Sequence, residues 1–235
     1  MSSPRCSLVI PFYQEAGNVG PVVSTACTVL QQLDPGFEAI FVNDGSTDAT
    51  GRELAETVAS LPRARVVTLA ENRGQAAALA LGLRHAQGEL IFTMDGDGQN
   101  DPADFPTLLD MLERERLDLV CGRRRDRRDS PLRRAMSWLA NAIRRRVLHD
   151  EVHDAGCQLR VFRRAVVDAI LPSPLMQSFL PAMAAAAGYR VGEWPVRHHA
   201  RQNGTSKYRL GNLWWRPFAE MIRLRRALRR PSLRR

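Results

Sequence analysis

The chain is short of several features that commonly announce a function. It holds one lysine, Lys207, against 33 arginines. No run of 18 apolar residues occurs, so no membrane-spanning helix is expected. The first eleven residues have no long apolar core, so no signal peptide is expected either. The four cysteines, Cys6, Cys27, Cys121 and Cys157, are scattered without a C-x-x-C pair. That spacing reads as reduced thiols in a cytosolic protein. The five histidines form no metal-ligand pattern. Neither G-x-G-x-x-G nor the P-loop pattern is found, which argues against a dinucleotide cofactor and a Walker-type site. An EF-hand loop is excluded, because no Glu between Leu90 and Leu112 could supply its bidentate ligand.

What is present suits one large domain, or one domain with an appendage. The apolar share of 44% is enough for a real core. The net charge of +9 is unevenly placed. Residues 123–149 carry ten Arg and two Asp, and residues 209–235 carry nine Arg and one Glu, so each block is +8 and the remainder is −7. Two basic blocks on a mildly acidic body point to an anionic partner: phosphate, a lipid surface or nucleic acid.

Along the chain, short apolar runs at Ser7–Pro11, Phe37–Val42, Arg65–Leu69, Glu89–Met94 and Leu117–Cys121 alternate with helical stretches at 17–33, up to about Ser60, 75–87 and 102–115. Ser46 or Thr47 is the expected cap of the second helix. Regular alternation with short connections predicts an α/β fold with a mainly parallel sheet. Further helices are expected at 131–149 and 175–187, followed by a strand at 189–196.

The stretch Asp95-Gly96-Asp97-Gly98-Gln99 closes the fourth strand. If this turn stays extended, Asp95, Asp97 and Gln99 point the same way. Such oxygen ligands suit Mg²⁺ or Mn²⁺ sharing its shell with substrate phosphates. Tyr13 and Glu15 follow the first strand, and Asn43 and Asp44 follow the second. Three neighbouring strands thus end in polar groups on one edge, where a nucleotide can lie.

Taken in order, V-I-P-F-Y-Q-E, F-V-N-D-G-S-T-D, N-R-G-Q-A-A-A-L and M-D-G-D-G-Q-N-D-P resemble the signature of family 2 glycosyltransferases. The later D-A-G-C-Q-L-R-V-F-R-R and R-Q-N-G-T-S-K-Y make the chain most similar to the polyprenyl-phosphate branch, of the dolichol-phosphate mannose synthase type. The resemblance implies a GT-A, Rossmann-like mixed sheet flanked by helices over residues 1–208, and an inverting transfer from a nucleotide sugar, GDP-mannose favoured, to a polyprenyl phosphate. It implies that Pro11, Tyr13 and Glu15 contact base and ribose, with Val42 and Asp44 completing that pocket. Asp95 and Gly96 would sit by the ribose and phosphates. Asp97 and Gln99, with Asp95, would hold Mg²⁺ or Mn²⁺. Arg123 would meet the sugar or the acceptor phosphate, and Arg160 and Lys207 the phosphates. Asn43 departs from the pattern, since many relatives have a second Asp there. Arg124 to Arg128 read as a solvated loop, and the bland alternative for Arg160 is a structural pair with Asp154.

A lipid monophosphate is already anionic at neutral pH and needs no strong base. A hydroxyl acceptor on a glycan or lipopolysaccharide would need one, and Asp154 is then the candidate. Residues 209–235 read as a basic amphipathic tail: Arg216, Arg223, Arg226 and Arg230 share one helical face, while Arg225 and Arg229 fall on the apolar side. Trp and Arg on such a helix suit a bilayer interface. The expected location is peripheral, at the cytoplasmic face of a membrane, directly or through a small membrane-anchoring partner. A non-catalytic nucleic-acid-binding role is the contrasting reading, and the strand-end carboxylates argue against it.

Overall fold

A computed structural model describes residues 4–125, 131–148, 150–169, 176–201 and 215–228. Seven strands form one sheet: β1 (Cys6–Phe12), β2 (Glu38–Asn43), β3 (Ala64–Thr68), β4 (Leu90–Thr93), β5 (Leu119–Arg124), β6 (Arg160–Arg163) and β7 (Val191–Val196). Their order across the sheet is β3-β2-β1-β4-β6-β5-β7. Every neighbouring pair is parallel except the two made by β6, which runs against β4 and β5. The helices are α1 (Val19–Leu33), α2 (Thr50–Val58), α3 (Gln75–His85), α4 (Phe105–Arg114), α5 (Pro131–Leu148), α6 (Met176–Ala186) and α7 (Trp215–Leu228).

Both faces of the sheet are covered, which is why its strands are apolar runs without clean alternation. Leu8, Ile10 and Phe12 of β1 face α1 and α4, packed with Val23, Leu30, Phe105 and Leu108. Val9, Ile40 and Val42 face the other way, in the cluster that holds Leu79, Leu83, Leu180 and Met183. Helix α7 lies against α5, with Met221 and Leu224 buried in this second cluster. The expected boundary between residues 208 and 209 falls outside the described residues.

The α/β alternation is as expected, with three local differences. Ser46 and Thr47 do not cap α2, whose first residue is Thr50; their hydroxyls instead accept from the Gln14 backbone and side chain. The helix expected from Pro102 begins as a 3₁₀ turn capped by Asp101, whose carboxylate accepts from the Ala103 N–H. Strand β6 was not expected as a strand at all.

Candidate active site

Strand β1 sits where the order of the sheet reverses, with β2 on one side and β4 on the other, all three parallel. Their carboxyl ends share one edge, the usual position of a ligand crevice in such sheets. Beyond β1, Gln14 takes a left-handed φ of 52°. Its side-chain amide donates to Thr47 Oγ1 at 2.8 Å and accepts from the Thr47 and Asp48 N–H groups, which ties the first strand-end loop to the second. Glu15 is buried; its N–H donates to Thr50 Oγ1, and its Oε2 accepts from Asn18 Nδ2 at 2.7 Å. Pro11 and Tyr13 are half-buried on this edge.

Two residues expected in a base pocket have other occupations. The Val42 side chain is fully buried in the core beneath α3. The Asp44 carboxylate accepts from the Arg73 N–H at 2.8 Å and from Asn72 Nδ2 at 3.0 Å, so it braces the loop before α3. Burial pushes the Asp44 pKa up, against those hydrogen bonds. Gly45, at φ +64°, is needed there: a Cβ would lie 2.3 Å from the Glu71 carbonyl carbon. The Asn43 amide oxygen accepts from the Ser46 N–H, so this departure serves the local turn.

The segment after β4 turns instead of staying extended. Gly98 is left-handed at φ +74°, and the Gln99 N–H folds back onto Asp97 Oδ1 at 3.1 Å. Gly96 packs where a Cβ would be 2.5 Å from the Phe12 ring. The three expected ligands consequently face different partners. Asp95 accepts from Gln75 Nε2 at 2.5 Å, Asp97 meets Arg201, and Gln99 Nε2 donates to the His199 carbonyl. Burial, and then the neighbouring Asp97, push the Asp95 pKa up to about 7, with Arg160, Arg124 and Arg201 pulling it back.

Arg201 was not expected to belong here. Its Nη2 lies 2.7 Å from Asp97 Oδ2 and 3.7 Å from Glu15 Oε1. The preceding residues are fastened to the Asp95–Asp101 turn: Asn100 and His198 form an antiparallel bridge, and the His199 N–H donates to the Gln99 carbonyl at 2.8 Å. Arg197 pairs with both Asp104 and Asp101, and His199 Nε2 lies 3.2 Å from Asp101. The only sequence signal for Arg201 was its place at the head of R-Q-N-G-T-S-K-Y.

The arginines past β5 and on β6 are also redistributed. Arg123 is exposed, whereas Arg124 turns in and grips Asp154 with Nε and Nη2, both at 2.8 Å. That pair corrects one expectation, since Arg124 is no solvated residue, and it sets aside the alternative in which Asp154 pairs with Arg160. Gly156 makes room for the pair, because a Cβ would stand 2.9 Å from Arg124 Nη2. Glu193 on β7 accepts from the backbone N–H groups of His153 and Asp154, fixing the loop that carries Asp154. Arg160 is fully buried, donating from Nε to the Cys157 carbonyl and from Nη2 to the Ala155 carbonyl; its Nη1 has no hydrogen-bond partner among the described residues. Lys207, Asp126, Arg127 and Arg128 lie outside the described residues.

No group of three or more His, Cys, Asp or Glu is placed to hold a metal ion among the described residues. Asp95 and Asp97 form a two-carboxylate set, and Asp97 already binds a cation, the Arg201 guanidinium. Such a set fits a hard divalent ion that completes its shell with phosphate oxygens.

The sheet and its strand-end crevice define a GT-A-like glycosyltransferase fold. Glucosyl-3-phosphoglycerate synthase from Mycobacterium tuberculosis, crystallised with Mn²⁺, UDP-glucose and phosphoglyceric acid, matches 86% of this chain and 73% of its own with a TM-score of 0.66 at 19% identity. The same enzyme with Mg²⁺ and UDP matches the same shares at 0.67 and 19%. Residues 7–171 match the family described as Glycosyl transferase family 2, and the chain belongs to that family. It is 41% identical over 212 residues to the dodecaprenyl-phosphate galacturonate synthase of Rhizobium johnstonii, covering 88% of this chain and 63% of the relative. It is 35% identical over 209 residues to the undecaprenyl-phosphate 4-deoxy-4-formamido-L-arabinose transferase of Edwardsiella ictaluri, covering 88% and 64%. The chain thus spans a little under two thirds of the length of these relatives.

Proposed function

We propose that this chain catalyses the transfer of a glycosyl unit from a nucleotide sugar to a polyprenyl phosphate. The observation that carries the reading is the Arg124–Asp154 pair beside buried Arg160, close to Asp95: the pair occupies the candidate base, and Arg160 keeps a cationic Nη1 without a hydrogen-bond partner among the described residues. Both relatives named above act on polyprenyl phosphates, which supports the same acceptor class. In this reading a lipid phosphate oxygen bonds to the anomeric carbon as the bond from that carbon to the diphosphate breaks, with inversion. The electron pair leaves on the nucleoside diphosphate. Asp95 and Asp97, with Gln99 in the same turn, would hold Mg²⁺ or Mn²⁺. The ion, when bound, supplies charge that stabilises the departing diphosphate. Arg160, Arg201 and Lys207 lower the repulsion between donor and acceptor phosphates, with Arg123 at the exposed rim. Pro11, Tyr13, Glu15 and the backbone around Gly96 border the nucleoside.

A UDP-sugar replaces GDP-mannose as the favoured donor. The relatives' names carry galacturonate and a formamido-arabinose, and the fold neighbours hold UDP. A hydroxyl acceptor is disfavoured, because Asp154 is engaged by Arg124 at two atoms.

We place the reaction at a membrane surface, with residues 1–208 as the catalytic unit and 209–235 as an attachment segment, directly or through a membrane partner. No helix among the described residues is long and apolar enough to cross a membrane. Leu139 and Ile143 are exposed on α5, and the same helix contributes Ala142, Arg145, Arg146 and Val147, with Arg225 of α7, to an open hollow of about 820 Å³, a surface suited to anionic lipid.

Calorimetry of UDP-galacturonate, UDP-glucose and GDP-mannose, with and without Mn²⁺, tests the donor. Metal-dependent binding of a UDP-sugar, lost in Asp97→Ala, is expected; binding of GDP-mannose alone would reverse the donor assignment. Detergent-dispersed undecaprenyl phosphate should accept the sugar. Transfer to an oligosaccharide in its place would overturn the acceptor.

A further inference from the structure

Arg201 occupies the carboxylate that the proposed cation needs. Its Nη2 is 2.7 Å from Asp97 Oδ2 and 3.7 Å from Glu15 Oε1, so one guanidinium bridges the loops after β1 and β4. The position is built. The Asn100–His198 bridge, the His199 N–H on Gln99 and the Arg197 pairs with Asp101 and Asp104 deliver the residue to the turn from outside the sheet. A divalent ion at Asp97 Oδ2 would sit close to the guanidinium already bound there, and two cations side by side repel strongly where water is partly excluded.

We infer that Arg201 is a gatekeeping residue of the cation site, excluding a bare divalent ion and admitting one only together with a diphosphate. The inference rests on the reading of Asp97 as a metal ligand. Formal charge supports it. Among the described residues Arg124 is offset by Asp154, Asp97 and Glu15 meet Arg201, and Asp95 lies within the field of Arg160. A dication arriving alone would add positive charge to this set while competing with Arg201 for its carboxylate. A diphosphate arriving with it supplies the missing negative charge and a new acceptor for the displaced guanidinium. Metal and nucleotide therefore bind with positive thermodynamic coupling, and the coupling belongs to Arg201.

The test is uptake of Mn²⁺ by the full chain, read from the electron paramagnetic resonance signal of free Mn²⁺, with and without UDP. The proteins are wild type, Arg201→Gln, Arg201→Lys and Asp97→Ala. Thermal unfolding verifies that each is folded. Typical coupling between sites corresponds to about 5- to 150-fold, so Arg201→Gln is expected to bind Mn²⁺ alone at least about fivefold more tightly than wild type. UDP should then enhance Mn²⁺ binding in that variant by a correspondingly smaller factor. Arg201→Lys, which keeps the charge, should stay near wild type. Equal binding of Mn²⁺ alone by wild type and Arg201→Gln, with Mn²⁺–UDP binding lost in Asp97→Ala, would overturn the gatekeeping role and leave the metal site standing. Equal Mn²⁺–UDP binding by Asp97→Ala and wild type would overturn both.

Discussion

Gly156 and Asp44 each act through what they let a neighbour do. A methyl group at position 156 would stand 2.9 Å from Arg124 Nη2, the end of a flexible side chain, so Gly156→Ala displaces the guanidinium by a few tenths of an ångström against Asp154. Misplacing a group by about 1 Å can cost on the order of 10²-fold in rate, so this smaller shift should lower transfer to lipid phosphate by less than that, with donor binding by calorimetry little changed. Asp44→Ala strips the acceptor from the part-buried Arg73 N–H, which should cost about 1 kcal/mol in denaturant unfolding. That loss has a pH signature. The folded-state pKa of Asp44 is raised, so the native protein holds its proton more firmly than the unfolded chain. Stability contributed by Asp44 is then greatest below the ordinary carboxylate value and shrinks as pH rises through the window above it. The gap between wild type and Asp44→Ala should narrow accordingly. The carboxylates at strand ends were legible because each breaks an apolar run abruptly. Their partners were not, because Asp44 meets Asn72 and Arg73, and Arg124 meets Asp154, across separations that no local pattern encodes.

Helix α5 shows which elements are legible. Its extent, Pro131–Leu148, was expected to one residue, since a long arginine-bearing amphipathic run has few alternatives. Strand β6 was missed because Val161 and Phe162 are its only apolar members, flanked by Arg160 and Arg163. Four residues with charged ends carry no period. Pairing with β4 and β5 makes the strand, and the backbone carbonyls that accept from Arg160 make its burial tolerable. Removing α7 would unpack Met221 and Leu224, so membrane contact is better probed on α5. Replacing exposed Leu139 and Ile143 by Asp removes apolar surface and adds negative charge. Each charge near an anionic leaflet is worth about 1 kcal/mol, so flotation with anionic liposomes should fall severalfold while UDP-sugar binding holds.

At the scale of the whole molecule, the crevice joins elements from both ends of the described sheet sequence: β1, β2 and β4 with the stretch after β7. Ligand bound there should stiffen the native protein as a unit. At a concentration about 100 times its dissociation constant, a ligand adds about 2.7 kcal/mol. Scanning calorimetry should therefore find Tm raised by several degrees with UDP and Mn²⁺ together, and the rise removed by EDTA. Strand β7 has a separate consequence. It pairs with β5 in parallel from Leu119↔Val191 to Arg124↔Val196, yet it lies beyond residue 171, where the family match ends. A protein cut at that point would keep the full matched length and leave apolar β5 as a bare rim of unpaired N–H and C=O groups. Such rims recruit strands from other molecules, so the shortened chain would aggregate.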